Sequence, residues 1–230
     1  MAELTSGDVN VEMGESVETS AANKNRTYLA LKRVFDMVFS AVVIVICIIP
    51  SLILCIAIRL ESPGNPIYAQ DRVKGIKPDG SLDIFKMYKF RSMYKDADNM
   101  LEKLKAQNEA DGPIFKMKND PRVTKIGKFI RKHSIDEFPQ FLNVFIGQLS
   151  LVGPRPPRPN EVEQYTAKQM KRLTVKQGLT GPWQTSSRSN SSFEEMVDFD
   201  LEYIETQSVA TDLKFIVKTV KTMIVGEGAY

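Results

Sequence analysis

The sequence predicts a helix-rich α+β fold in which one apolar membrane helix precedes one globular domain. Three observations carry this expectation. Met37–Ile58 runs for 22 residues without a charged side chain. Ile67–Val73 and Leu82–Phe90 are rich in strand-forming residues and flank the turn signal Pro78-Asp79-Gly80. Beyond the second run, apolar residues recur at helical spacing as far as the C-terminus. A chain of 230 residues has room for one domain and a small appendage.

In chain order, residues 1–27 are expected to form a disordered acidic tail. Its first 23 residues hold Glu3, Asp8, Glu12, Glu15 and Glu18 with no Lys, Arg or aromatic side chain. So little apolar surface cannot offset the entropy of ordering. A signal peptide would begin basic and then turn apolar, and this stretch does neither. The remainder carries 31 Lys+Arg against 23 Asp+Glu, so the basic balance belongs to the folded part.

Residues 28–60 contain the membrane segment. As a helix the uncharged run is about 33 Å long, close to the thickness of a bilayer's hydrocarbon core. Two features oppose a straight span. Pro50 lies inside the run, where it removes a backbone hydrogen bond and predicts a kink or break. Both flanks are also positive, with Lys24, Arg26, Lys32 and Arg33 before the run and Arg59, Arg72, Lys74 and Lys77 after it. A span would put one basic cluster on the disfavoured side, whereas a helix that bends at Pro50 and returns keeps both on the cytoplasmic face. The residues alone leave the two topologies level.

Residues 61–230 read as one domain. Ile67–Val73 and Leu82–Phe90 pair as a β-hairpin, and residues 94–110 form an exposed charged helix stopped by Gly112-Pro113. Val123, Ile126, Phe129 and Ile130 mark one amphipathic helix; Phe138, Phe141, Leu142, Phe145 and Ile146 mark another. Leu149–Pro159 (LSLVGPRPPRP) is too rich in proline for a helix or a central strand and is expected to be a rigid loop. Leu201–Val225 places Leu213, Ile216, Val217, Val220 and Ile224 on one stripe with Lys214, Lys218 and Lys221 opposite. Such a helix packs on the core or lies in a membrane interface.

Cys47, Cys55 and a single histidine, His133, exclude a disulfide framework and a structural zinc site. G-x-x-x-x-G-K-[ST], G-x-G-x-x-G, H-E-x-x-H and G-x-S-x-G are all missing, so any phosphate chemistry must do without a glycine cradle. The constellation that can do chemistry is Arg131-Lys132-His133-Ser134-Ile135-Asp136-Glu137. Asp136 as N-cap puts Pro139 in the first helical turn, where its missing N–H costs nothing. Two carboxylates then sit at a helix N-terminus that keeps them ionised and favours a phosphate alongside. An ionised Asp can attack phosphorus while a second carboxylate helps hold Mg²⁺. The bland alternative is that Asp136 and Glu137 only cap the helix.

Residues 71–132 hold 16 Lys+Arg against nine Asp+Glu, which suits either a polyanion-binding surface or a solvated basic face. Lys86, Lys89 and Arg91 are the subset expected to converge, because a strand sends residues two apart to one face. Arg155, fixed between Pro154 and Pro156, either grips a phosphate as a fork or ties loop carbonyls together.

Read together, KRVFD before an apolar run, IFKMYKFRSM, and FKMKNDPRVTKIGKFIRKHSIDEFPQFLNVFIGQLSLVGPRP resemble the bacterial sugar transferase family, the monotopic phosphoglycosyl transferases that initiate exopolysaccharide, capsule and O-antigen assembly. The resemblance covers about residues 28–225 and matches the catalytic portion of the larger undecaprenyl-phosphate hexose transferases, without their additional membrane helices. It implies transfer of a sugar 1-phosphate, galactose or glucose, from a UDP-sugar to undecaprenyl phosphate with release of UMP. It also implies a covalent phosphosugar on Asp136, Glu137 as its dyad partner, and Mg²⁺ at the dyad. Lys89, Arg131 and Arg155 match the family's basic residues; Arg91 joins them from the strand reading, and Gln184 and Arg188 fall in its nucleotide motif. It further implies a re-entrant helix broken at Pro50 and a monotopic protein on the cytoplasmic face of the bacterial membrane. The partners are then UDP-sugar, undecaprenyl phosphate and membrane lipids, with a homodimer left open. Nucleic acid is excluded by the modest net charge of +3 and the lack of a reader motif. Two departures stand out. Ile49 precedes Pro50 where some members carry Ser, and VKQGLTGPWQTSSRS departs from the commoner V-K-P-G-I-T-G-x-W-Q-V-S-G-R at Gln177, Pro182 and Ser187.

Overall fold

The computed structural model describes residues 26–104, 108, 117, 119–186 and 192–225. The expected acidic tail therefore lies outside the described residues, apart from its last two positions.

The chain enters through one long helix, α1 (Arg26–Glu61), and the expected break at Pro50 needs correction: the backbone stays helical through it. Among the described residues it is the one helix long and apolar enough to cross a membrane. Its two ends are tied down and its middle is bare. At the start, Lys32 Nζ lies 2.6 Å from Asp212 Oδ2, which also accepts the Tyr28 hydroxyl at 2.9 Å. Arg33 donates to the carbonyls of Val144 and Phe145, and Asp36 accepts the Leu151 N–H at 3.1 Å. At the far end, Ile58 is buried with Phe90 and Ile130, and Leu54 and Cys55 pack beside them. Glu61 accepts the N–H groups of Lys125 and Ile126. Between these arms Val45, Ile46 and Ile49 are 72%, 68% and 66% exposed, so the domain does not cover the apex of the apolar run.

The hairpin comes next as β1 (Ile67–Ile76) and β2 (Leu82–Phe90), paired antiparallel from Ile67↔Phe90 to Ile76↔Leu82 with a bulge between Val73 and Gly75. Period-two alternation sends Phe85 and Met87 inward, where they meet Val144, Leu149, Leu151, Val152 and Tyr203 in the main core. Lys86 therefore points the other way and pairs with Asp71 on the exposed face, which removes it from the expected convergent set.

After the hairpin come α2 (Ala97–Leu104), α3 (Lys125–Lys132), a 3₁₀ turn at Ile135–Glu137 and α4 (Gln140–Phe145). The expected helix over 94–110 is seen from Ala97 to Leu104, and most of the stretch 105–118 lies outside the described residues. Thr124 caps α3 by accepting the Gly127 N–H. A Cβ on Gly127 would lie 1.9 Å from the Ser92 carbonyl oxygen, so only glycine lets α3 approach the strand exit this closely.

Two expectations about the second half need correction. Leu149–Pro159 is not wholly loop: β3 (Ser150–Val152) precedes the first proline and pairs in parallel with β4 (Gly178–Thr180). These three residues keep all their N–H groups, so the proline argument does not reach them. Between the strands lie α5 (Pro159–Val162), α6 (Ala167–Met170) and a 3₁₀ turn at Lys171–Thr174. The stretch from Leu201 is not one helix either: after α7 (Pro182–Ser186), α8 (Phe193–Thr206) ends and α9 (Val209–Val225) begins at Gln207-Ser208. On α9, Phe215 and Ile216 pack on the core while Leu213, Val217 and Val220 stay exposed.

Candidate active site

The dyad is delivered by an abrupt reversal. After α3, Ser134 adopts φ 53°, the only positive φ outside glycine among the described residues. That left-handed step turns the chain into the Ile135–Glu137 3₁₀ turn. Asp136 is thus not the N-cap of an α-helix; Pro139 holds that position for α4, three residues later. The expected helix-terminus stabilisation of both carboxylates does not apply, and burial sets the chemistry instead. Asp136 is 9% exposed. Burial pushes its carboxyl up to about 6; Lys89 pulls it down, the adjacent Glu137 charge pushes it up, and Arg131 pulls it down.

Asp136 opens into a cleft of about 340 Å³ whose wall includes Lys89, Arg91, Arg131 and Arg155, four of the basic residues singled out from the sequence. Lys89 shares the inward face of β2 with Met87 but lies beyond the end of the core, and its Nζ reaches Glu137 Oε1 at 3.0 Å. Arg131, on the last turn of α3, donates through Nε to Ser92 Oγ at 2.9 Å. Arg155 contacts the buried Glu161 at 3.3 Å. Arg91 comes directly after the last strand residue, and its guanidinium donates to the carbonyls of Pro63 and Ser62, just past the end of α1. It borders the cleft while bracing the exit of the membrane helix.

The cleft also holds Arg72, Arg122 and Arg158, which the sequence reading did not place there. Arg72 is 4% exposed and donates to the Pro156 carbonyl at 2.8 Å. Arg172 reaches the Arg155 carbonyl from the other side while its Nε holds the buried Asp200 at 2.8 Å. Tying the proline loop's carbonyls, one of the two expected roles of Arg155, falls to these two residues. Arg122 is held by Asp120, its Nε donating to Oδ1 at 2.9 Å and to Oδ2 at 3.1 Å and its Nη2 to Oδ2 at 2.6 Å. The result is a concave cationic wall around the buried Asp136, with the second buried carboxyl, Asp120, paired to Arg122, a shape for an anion with several phosphate oxygens.

Gln184 lies half-buried on α7 and is not part of this cleft, so the structure does not bring it to the dyad. Arg188 lies outside the described residues. Gln177, one of the motif departures, is fully buried and donates its amide to the carbonyls of Arg172 and Val175. That departure is internal packing beneath β4. Among the described residues no group of three or more Asp, Glu, His or Cys could hold a metal by itself. Asp136 and Glu137 are nevertheless adjacent hard oxygen donors, and Mg²⁺ commonly takes one or two carboxylates with the remaining positions filled by substrate phosphates and water.

A family model described as bacterial sugar transferase matches residues 27–226. The chain is 44% identical over 204 residues to the galactosyl transferase CpsE of Streptococcus agalactiae, which covers 88% of this chain and 44% of that protein. It is 36% identical over 222 residues to the undecaprenyl-phosphate galactose phosphotransferase of Salmonella typhimurium, covering 93% and 44%. Against the exopolysaccharide production protein ExoY of Rhizobium meliloti it is 36% identical over 203 residues, covering 86% and 88%. The chain thus spans less than half the length of the first two and most of the third.

Proposed function

The chain belongs to the bacterial sugar transferase family, and from that membership we propose that it transfers a sugar 1-phosphate, galactose or glucose, from a UDP-sugar to undecaprenyl phosphate, releasing UMP. The observation that supports the reading is the buried Asp136 carboxyl in an open cleft walled by lysine and arginine, where the other buried carboxyl, Asp120, is already taken up by Arg122. The names of the relatives, which speak of galactosyl transfer, undecaprenyl phosphate and exopolysaccharide production, agree with it.

Each residue of the site has a distinct task. Arg72, Arg122, Arg131, Arg155 and Arg158 bind and orient the diphosphate; their guanidinium forks are held by Ser92, Glu161, Asp120 and the proline loop, so little freedom is lost on binding. An Asp136 carboxylate oxygen attacks the phosphorus that bears the sugar. The bond to the bridging oxygen breaks, UMP leaves with that electron pair, and the sugar phosphate remains esterified to Asp136. A phosphate oxygen of the lipid then attacks the same phosphorus and returns the carboxylate. Lys89 holds Glu137 and draws the Asp136 carboxyl towards its ionised form. Mg²⁺ held by the dyad would supply charge neutralisation on the diphosphate.

The topology is set by α1. Both of its arms grip the same domain while the apolar apex around Pro50 is bare. A spanning helix would carry its two ends to opposite faces, so we read α1 as entering and leaving the cytoplasmic leaflet, bent near Pro50. The exposed side of α9 then rests in the interface.

The test is Asp136→Asn in the full chain with a panel of UDP-sugars, undecaprenyl phosphate and Mg²⁺. UMP release should fall by at least about three orders of magnitude. Mass spectrometry of the wild type incubated with UDP-sugar alone should find a hexose phosphate on the peptide carrying Asp136. Retained turnover by the variant, or an active wild type without the adduct, overturns the mechanism.

A further inference from the structure

A second cavity adjoins the dyad from the other side. It is a narrow groove of about 100 Å³ between α1, α4, β4 and α9, lined by Phe39, Phe141, Leu179, Val220 and Met223, with Glu137 at one end. The polar side chains at its wall are largely satisfied within the protein: Thr180 and Thr219 hydrogen-bond to each other, and Thr219 also donates to the Phe215 carbonyl. What the groove offers a ligand is apolar surface. Glu137 joins the two cavities, because its carboxylate ends the apolar groove while the Lys89 ammonium on Oε1 belongs to the cationic cleft.

We propose that this groove seats the first links of the isoprenoid chain of the polyprenyl phosphate acceptor, an inference that rests on the proposed transfer to a lipid phosphate. The complementarity is that of an amphiphile: an anionic head beside Lys89 and Arg131, and an apolar tail running away from Glu137 between Phe39 and Val220. Phe39 belongs to the apolar stretch of the membrane helix, and Val220 is 48% exposed on the outer side of α9. The groove is therefore continuous with the surfaces that face lipid. The dyad borders both a compartment for a water-soluble diphosphate and one for a hydrocarbon, so the lipid phosphate can take the face of phosphorus that UMP has left while its tail runs into the groove.

The experiment uses the full chain in lipid nanodiscs with a polyprenyl phosphate carrying a diazirine on its first isoprene unit. Cross-links mapped by mass spectrometry should fall on Phe39, Leu179, Val220 or Met223. Excess unlabelled polyprenyl phosphate should suppress them, and a phosphatidic acid of similar length should not. Val220→Trp, which fills the groove from an exposed position, should cut this labelling and raise the KM for the lipid acceptor by about tenfold, with the KM for UDP-sugar unmoved. Labelling confined to the bare apex of α1, equal competition by phosphatidic acid, or an unchanged lipid KM in Val220→Trp overturns the assignment. Label position is read without turnover, so an inactive wild type would sink the proposed reaction while leaving the groove to be judged on its cross-links.

Discussion

Asp136 is held between opposed influences: burial raises its carboxyl and the Lys89 ammonium lowers it. Rate and stability should both respond to this balance. With the carboxyl at about 6, the acid limb of the first half-reaction should fall through about pH 6 rather than through the ordinary carboxylate range. Lys89→Ala removes the leading downward influence, so the limb should move to higher pH; a limb that stays in place would show that Lys89 does not act on Asp136. For stability, a folded value above the ordinary 3.8 means that the native state favours the protonated form. That contribution is fully present below about pH 4 and lost as pH rises through about 6. Asp136→Asn should accordingly stabilise the protein near pH 7.5 by on the order of 2 kcal/mol, with the gain vanishing near pH 4, as thermal unfolding at the two pH values would measure. Much of the candidate cleft was legible at this scale because Lys89, Arg131, Asp136 and Arg155, which line it together, sit in short, distinctive runs. Arg72, Arg122 and Arg158 were not, since only the tertiary fold brings them to the cleft; by sequence Arg72 is simply one of the positive residues flanking an apolar run.

Among the elements, those defined by alternation or by strong periodicity were the readable ones. The hairpin arises from its alternation and its Pro-Asp-Gly turn, and its register sets which way Lys86 and Lys89 point. The 3₁₀ turn that carries the dyad was unreadable for a physical reason: it depends on a left-handed serine, a conformation that no local pattern announces. The strand β3 was hidden because its pairing partner lies at Gly178–Thr180, beyond two short helices. The packing of α3 against the strand exit gives a sharper expectation. Gly127→Ala would drive a methyl into the Ser92 carbonyl and push α3 away, taking Arg131 off Ser92 Oγ. It should destabilise the protein by about 2–4 kcal/mol in chemical denaturation and raise the KM for UDP-sugar in whatever fraction remains folded. An unchanged midpoint would mean that α3 can shift without cost.

For the molecule as a whole, the membrane helix and the domain are one mechanical body. The start of α1 is fastened to α9 through the Tyr28–Asp212–Lys32 contacts, with Tyr203 also donating to Asp212 at 2.7 Å. The end of α1 is fastened to α3 through Glu61. The residues alone left a span and a return level, because length and charge bias favour different answers, and the family resemblance implied the return; contacts made by both ends to one domain support that proposed topology. A helix that visits a single leaflet has no far headgroup layer to match, so stretching or thinning the bilayer imposes no mismatch upon it. Turnover should therefore be level across vesicles of short-chain and long-chain phospholipids at equal surface charge, where a spanning anchor would show an optimum. On the proposed topology the Asp136 carboxyl rides at a fixed altitude over the headgroups, set by the protein's own bonds rather than by the thickness of the host membrane.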